Sequence, residues 1–257
     1  MNLRPPLRFR IGFTLLALAT AQILRANTAV EPVPRDPRWV QRHEAFVKIA
    51  QQGGIDLLFL GDSITDFWRY DTYKGPVNGQ MVDWPRGKAV WDENYAPLHA
   101  ANFGINADRT QHLLWRIEHG ELDGIHPKAV VLLIGTNNTG KERNGSIRNT
   151  TAEAIAGVTA VVREVHTRLP QTKILLLAIF PRDIKGSPVR AQIAEINQAI
   201  ARLDDGAAIH FLDIGPQLLE PDGTLSTSVM PDLLHPNAHG YQIWADAIRA
   251  PLAKLMQ

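Results

Sequence analysis

Four short blocks of the sequence hold the residue types that acyl transfer requires. Gly61-Asp62-Ser63 follows an apolar run, and three later blocks read Asn106-Ala107-Asp108, Gly135-Thr136-Asn137-Asn138 and Asp232-Leu233-Leu234-His235. Together they offer a hydroxyl, backbone amides, a carboxamide and a carboxylate–imidazole pair, which are the parts of a nucleophilic acyl-transfer site. Ser63 alone fits an ordinary turn equally well, because Gly, Asp and Ser are common turn residues.

Apolar runs that alternate with helical patterns place these blocks at strand ends. Runs that are apolar at nearly every position are typical of strands buried on both faces, and they cover residues 55–60, 100–105, 129–135, 173–180 and 207–214. Helices are expected from Pro37 to Gly53, near 109–119, 150–169 and 188–204, and from about 237, where Pro251 should kink or shorten the last one. The alternation predicts an α/β fold, a three-layer α/β/α sandwich around a flavodoxin-like five-stranded parallel sheet. Ligands bind outside the carboxyl ends of such strands, which is where the four blocks fall.

The order of the blocks resembles the GDSL/SGNH hydrolase family. A lone Gly-Asp-Ser is a weak motif, whereas GDS, then GTNN, then DxxH in this order is a specific combination that spans nearly all of the chain after residue 26. Within the family, residues 96–138 and 180–197 are similar to the catalytic subunits of intracellular platelet-activating-factor acetylhydrolases. The resemblance implies the SGNH hydrolase fold and a serine esterase that uses no cofactor and no metal.

The resemblance also assigns a role to each block. Ser63 falls at the nucleophile, His235 at the general base and Asp232 at the carboxylate that orients the base. The oxyanion hole would consist of the Ser63 N–H, the Asn137 side chain and the backbone N–H of Ala107. The family usually has glycine at the position of Ala107; the donor survives this change, but the added side chain narrows the site or moves the loop.

The substrate is less well defined than the chemistry. By the same resemblance Ile64, Thr136 and Leu234 would line a small acyl pocket that favours acetyl groups. The alcohol part of the ester is predicted to be a carbohydrate, with an acetyl phospholipid as the alternative.

A long connection, residues 66–97, motivates the carbohydrate prediction. It reads as strand-poor, it is longer than in the acetylhydrolase subunits, and loops of such length are usually functional. Trp84 and its aromatic neighbours could bind a sugar face beside Ser63, with basic side chains as donors; the residues concerned are Trp68, Tyr70, Tyr73, Trp91 and Tyr95 with Arg69, Lys74, Arg86 and Lys88. The alternative is that several of these rings pack the loop onto the sheet.

Two hypotheses from other functional classes remain open. His235 and His239 are four residues apart with Asp232 nearby, a metal-ligand spacing if both lie on one helix, although Pro236 favours a loop position for His235. A non-catalytic carbohydrate-binding protein would use only the aromatic segment.

Composition and the N-terminus set the remaining limits. The 257 residues are 45% hydrophobic and 21% charged with a net charge of +1, which suits one globular domain and gives no indication of nucleic-acid binding. The absence of cysteine excludes disulfides and thiolate chemistry. Residues 1–26 read as a signal peptide before a hydrolase domain at 27–257, because arginines precede a short apolar run and small residues. We therefore expect a periplasmic or secreted protein without stable membrane insertion, with an uncleaved anchor as the alternative and a homodimer left open.

Overall fold

A computed structural model describes residues 26–77 and 79–257, so the predicted signal peptide lies almost wholly outside the described residues. Five strands form a parallel sheet: β1 (Leu57–Gly61), β4 (Ala100–Gly104), β5 (Ala129–Leu133), β6 (Lys173–Leu177) and β7 (Ile209–Leu212). Their order across the sheet is β4-β1-β5-β6-β7, and every neighbouring pair is parallel. The five predicted strands and the flavodoxin-like arrangement are confirmed.

Helices cover both faces of this sheet and create two apolar layers. One layer holds α1 (Pro37–Gln52), α4 (Thr110–Glu118), α5 (Thr151–Arg168) and α6 (Pro188–Ile200); the other holds the short helices α2 (Ser63–Asp66) and α3 (Lys88–Asn94) and the C-terminal α7 (Ala238–Leu255). Successive strand residues point to opposite faces, so Leu58 and Leu60 of β1 enter the first layer while Leu57 and Phe59 enter the second. The predicted three-layer sandwich is thereby confirmed.

The ends of the first and last helices show where sequence signals hold and where one fails. The Asp36 side chain accepts hydrogen bonds from the amides of Arg38 and Trp39, with Pro37 at the first helical position, and Gly53 ends α1 at φ 69°. The prediction that Pro251 shortens the last helix is wrong, because α7 continues through it to Leu255. Buried Ile248 and Leu252 on either side anchor this end of the helix in the core.

The connection between β1 and β4 is not strand-poor, which corrects the expectation for residues 66–97. It contains an antiparallel hairpin of β2 (Thr72–Val77) and β3 (Gln80–Pro85), which we call the insert hairpin. Trp68 is fully buried among aromatic rings of the second layer, including Tyr95 and Trp244. Part of the aromatic content of this segment is therefore core, as the alternative stated.

Within the described part of the chain, no helix has both the length and the hydropathy needed to cross a membrane.

Candidate active site

Ser63 stands where strand β1 turns sharply into helix α2. The backbone is closely surrounded at Gly61, where a Cβ would lie only 2.3 Å from the Leu133 carbonyl oxygen of the neighbouring strand. Only glycine therefore fits at this point of the turn. Asp62 caps α2 and holds the turn, because its Oδ1 accepts a hydrogen bond from the Ile64 backbone N–H at 3.0 Å. The Ser63 hydroxyl is thereby fixed at the carboxyl edge of the sheet.

One hydrogen-bonded chain joins Ser63 to His235, 172 positions later in the sequence, and continues to Asp232. His235 Nε2 lies 2.9 Å from Ser63 Oγ, and His235 Nδ1 lies 2.7 Å from Asp232 Oδ2. The other Asp232 oxygen accepts the His235 backbone amide at 2.7 Å. This is the relative geometry of a nucleophile, a base and an orienting carboxylate.

A tight turn brings Asp232 and His235 together. Leu233 has φ 58°, a left-handed conformation, and its amide donates to the Met230 carbonyl at 2.9 Å. Burial acts to raise the pKa of Asp232, but its hydrogen bonds and charge interaction with His235, together with the Leu234 amide, hold that pKa below its ordinary value. Asp232 is therefore an ionised acceptor for the imidazole.

The predicted oxyanion donors lie on two adjoining loops after β4 and β5. Asn137 Nδ2 donates to the Asp108 carbonyl at 2.9 Å, which ties the second loop to the first and leaves the other amide hydrogen uncommitted. Ala107 is exposed at φ 64°, and its N–H donates to no acceptor within the described residues. A left-handed alanine is unusual, and it explains why glycine suits this position.

The Ala107 turn is fixed by buried charges beneath it. Asp108 is fully buried, and its carboxylate accepts hydrogen bonds from Trp39 Nε1 at 2.7 Å and from Arg35 Nη1 at 3.1 Å. It also forms an ion pair with Arg116, whose Nε lies at 3.0 Å. Burial nevertheless raises the pKa of Asp108 to about 6. On the other side of the turn, the Asn106 backbone N–H donates to Asp66 Oδ2 at 3.2 Å.

The predicted acyl-pocket residues sit beside the catalytic positions with little exposed surface. Ile64 is 1% exposed and Thr136 is 2% exposed, while Leu234 is half-buried and packs against the same apolar cluster as Ile64. Trp84, by contrast, is in the insert hairpin and is only 7% exposed. Its ring packs on Tyr73 at 4.8 Å between centroids, so it offers little free surface to a sugar.

The histidine pair does not share a helix. His239 lies in the first turn of α7, whereas His235 precedes the helix and both of its ring nitrogens are engaged by Ser63 and Asp232. Across residues 26–77 and 79–257, no three His, Asp or Glu side chains cluster as metal ligands would.

Sequence reasoning missed two side chains that touch the site. The Phe67 ring lies 4.9 Å from the His235 imidazole, centroid to centroid. Arg86, which was considered only as a possible sugar donor, is 3% exposed and donates to the Pro236 carbonyl, one residue after His235. Nothing in their spacing along the sequence signals either contact.

Comparison with known proteins agrees with this geometry. Residues 59–243 match the sequence profile of the GDSL-like lipase/acylhydrolase family, which covers most of the chain and includes all four blocks. The chain belongs to this family. It is accordingly a carboxylic ester hydrolase of the GDSL/SGNH type.

Individual relatives fit the same assignment. The chain is 36% identical over 214 residues to platelet-activating factor acetylhydrolase IB subunit alpha2 of Rattus norvegicus, covering 83% of this chain and 82% of the relative. A GDSL-like lipase from Bacteroides thetaiotaomicron superposes with a TM-score of 0.60 at 18% identity, over 84% of this chain and 96% of its own. An acetyl xylan esterase, AlAXEase, superposes with a TM-score of 0.58 at 20% identity, over 77% of this chain and 100% of its own. These two structures support the SGNH hydrolase fold.

Proposed function

We propose that this GDSL acylhydrolase is a serine esterase that removes acetyl or similarly short acyl groups through Ser63, His235 and Asp232. The observation that carries the proposal is the continuous hydrogen-bond chain of 2.9 and 2.7 Å through the His235 ring. Asp232 accepts from Nδ1–H and fixes the tautomer in which Nε2 can take the serine proton.

The reaction proceeds in two acyl transfers. Ser63 Oγ attacks the ester carbonyl while His235 Nε2 takes the hydroxyl proton, and the imidazolium then protonates the departing alcohol. Water, deprotonated by His235, attacks the acyl-serine and releases the acid. In each tetrahedral intermediate the negative oxygen receives hydrogen bonds from the Ser63 and Ala107 amides and from Asn137 Nδ2.

The size of the acyl group follows from the packing around the nucleophile. Ile64 and Thr136 are buried beside Ser63 and Asn137, and Leu234 directly precedes His235. Ile64 and Leu234 belong to or pack against the second apolar layer, so the space near Ser63 cannot widen on their side without disturbing the core. Activity should fall steeply from acetyl to longer esters.

For the alcohol part, we propose an acetylated carbohydrate. The insert hairpin borders the site through Arg86 and carries the partly exposed ring of Tyr73, and the exposed ring of Tyr70 lies just before it; both rings can stack on a sugar. A similarly folded protein is named an acetyl xylan esterase. Carbohydrate esters also suit the export that residues 1–26 predict, to the periplasm or beyond.

A second candidate is an acetyl phospholipid. It is favoured by the 36% identity to a platelet-activating factor acetylhydrolase subunit, which is higher than the identity to the esterase structures of similar fold. The two candidates share the acyl chemistry and differ only in what surrounds the leaving oxygen.

Ser63→Ala tests the mechanism. We expect ester hydrolysis to fall by about 10³-fold or more with the fold intact, since nucleophile and base act as a unit. Ser146→Ala, at an exposed serine, is the matched control and should keep full activity. Wild-type turnover in folded Ser63→Ala would refute the assignment.

A substrate panel tests specificity on the same preparation. It compares 4-nitrophenyl acetate, butyrate and octanoate, an acetylated xylo-oligosaccharide and an acetyl phospholipid. The highest kcat/KM on the oligosaccharide supports the first candidate, and the highest value on the phospholipid supports the second.

A further inference from the structure

Arg86, at the end of the insert hairpin, is a buried cation held by aromatic rings. Its guanidinium lies 4.5 Å from the Phe67 ring, 4.9 Å from the Tyr73 ring and 5.2 Å from the Trp84 ring, measured to centroids. Only 3% of the residue is exposed. Among the described residues it makes no direct ion pair, so the rings are its principal surroundings.

From this position Arg86 reaches the histidine loop at two points. Its Nη1 donates to the Pro236 carbonyl at 3.2 Å, across 150 positions of sequence. It also lies over the ring of Phe67, which in turn contacts the His235 imidazole at 4.9 Å between centroids. One contact therefore fixes the backbone just after His235, and the other supports the ring itself.

Burying a guanidinium costs more free energy than burying an apolar side chain in the same place. Burial lowers the pKa of Arg86, and the charge interactions with Tyr241 and Asp232 offset that effect only in part. An apolar side chain of similar length would fill the same space without the cost of desolvating a charge. A planar cation, however, can stack on rings and direct an N–H at a carbonyl at the same time.

We propose that Arg86 is a positioning residue for catalysis, which holds the His235 loop so that Nε2 stays within hydrogen-bond distance of Ser63. The inference rests on the proposed function of Ser63, Asp232 and His235. On this view the insert hairpin is part of the catalytic apparatus, because its strands carry Tyr73 and Trp84 and its end carries Arg86. A displacement of about 1 Å at a catalytic group can cost about 10²-fold in rate.

The test compares three variants of the full-length enzyme. Arg86→Met keeps an apolar stem but removes the charge and the N–H donors. Arg86→Lys keeps the charge and a donor nitrogen but loses the planar group that stacks on the rings. Asp83→Ala is the control, since Asp83 is an exposed residue of the same hairpin that pairs with Lys74 at 3.0 Å. Each is assayed for kcat and KM on 4-nitrophenyl acetate, for the rate at which a phosphonate labels Ser63, and for melting temperature.

A positioning role gives a distinct pattern. We expect Arg86→Met to lower kcat and the labelling rate together by about 10- to 100-fold, with KM within about threefold of wild type. Arg86→Lys should recover part of this loss, and Asp83→Ala should match wild type. The labelling rate reports the serine–histidine contact without any bound ester, so it separates positioning from substrate binding.

Other results overturn the proposal. Wild-type kcat in folded Arg86→Met removes the catalytic role, and a rise in KM alone makes Arg86 a substrate-binding residue instead. If Arg86→Met does not fold, wild-type kcat in Arg86→Lys shows that the residue serves folding only. Failure of the proposed function is recognised separately, because Ser63→Ala would then retain activity.

Discussion

Ala107 offers the sharpest test of the proposed oxyanion hole, in which alanine stands where the family usually has glycine. Its φ of 64° lies in the left-handed region, where an L-residue other than glycine is strained by about 1–2 kcal/mol. The conformation is imposed from both sides. Arg35 Nη1 donates to the Asn106 carbonyl at 2.7 Å, and the Asp108 carbonyl accepts from Asn137.

Ala107→Gly removes the strain but gives the unfolded chain more freedom. The first effect stabilises by about 1–2 kcal/mol, and the second destabilises by about 0.4–1 kcal/mol. The balance is a stabilisation of about 0–1.6 kcal/mol, or a rise of roughly 0–6 °C in melting temperature for a domain of this size. Because the donor is a backbone N–H, kcat on 4-nitrophenyl acetate should stay within about threefold of wild type.

The assay combines thermal unfolding with steady-state kinetics, and Ala107→Val is the comparison. A β-branched residue is poorly tolerated at positive φ, so this variant should melt at a lower temperature and lose activity as the turn shifts. A loss of more than about tenfold in kcat for Ala107→Gly would refute the reasoning, because a methyl group would then have a catalytic role.

The donor itself can be deleted directly. Replacing Ala107 with its α-hydroxy analogue turns the Asn106–Ala107 amide into an ester, which puts an oxygen in place of the N–H and also weakens the Asn106 carbonyl as the acceptor for Arg35. The expected loss is about 10²–10³-fold in kcat, the usual effect of one oxyanion donor. Full activity in that protein would show that the Ala107 amide does not face the oxyanion.

Four further predictions address neighbouring groups. Asn137→Ala should lower kcat by about 10²–10³-fold with a smaller change in KM; a change in KM alone would make Asn137 a substrate-binding residue. Trp84→Ala tests whether this hairpin ring binds sugar: a higher KM for an acetylated oligosaccharide with unchanged 4-nitrophenyl acetate hydrolysis supports sugar binding, whereas equal losses with a lower melting temperature show a structural ring. His239→Ala should leave kcat unchanged and insensitive to chelators, and zinc-restored activity would instead favour the metal hypothesis. Burial raises the pKa of Asp62 from 3.8 to about 7, so the folded state retains a proton that the unfolded chain has released. The Asp62 contribution to stability should decline as pH rises from 4 to 7, so the free energy of unfolding of wild type should fall relative to that of Asp62→Asn over this range in denaturant titrations.

The sheet and the reactive residues could be predicted because each leaves a local signal. Strands buried on both faces require apolar side chains at nearly every position, so β1, β5 and β6 are visible as continuous runs. The blocks follow those strands directly, and parallel strands bring their carboxyl ends to one edge. The parallel topology therefore predicts that blocks far apart in sequence lie together at one edge of the sheet.

The insert hairpin could not be recognised in the same way. Gly75, Pro76 and Pro85 interrupt its strands, and its residues are mostly exposed, so no apolar run marks it. The one local signal was Asn78-Gly79, a common hairpin turn dipeptide. The burial of Trp84 depends on Tyr73 and Arg86 packing around it, which is a property of the folded hairpin and not of spacing.

The loops of the candidate site are held together by hydrogen bonds between them. Asn137 bonds the Ala107 turn through the Asp108 carbonyl, Asp66 at the end of α2 bonds the same turn through Asn106, and the Tyr241 hydroxyl of α7 donates to the Ile64 carbonyl at 2.8 Å. Donors fixed before substrate arrives need not reorganise when charge develops on the ester oxygen, which is the main source of oxyanion stabilisation. A turn that is fixed from outside can also keep a left-handed alanine, so the same bonds explain both the preorganised hole and the tolerated loss of glycine.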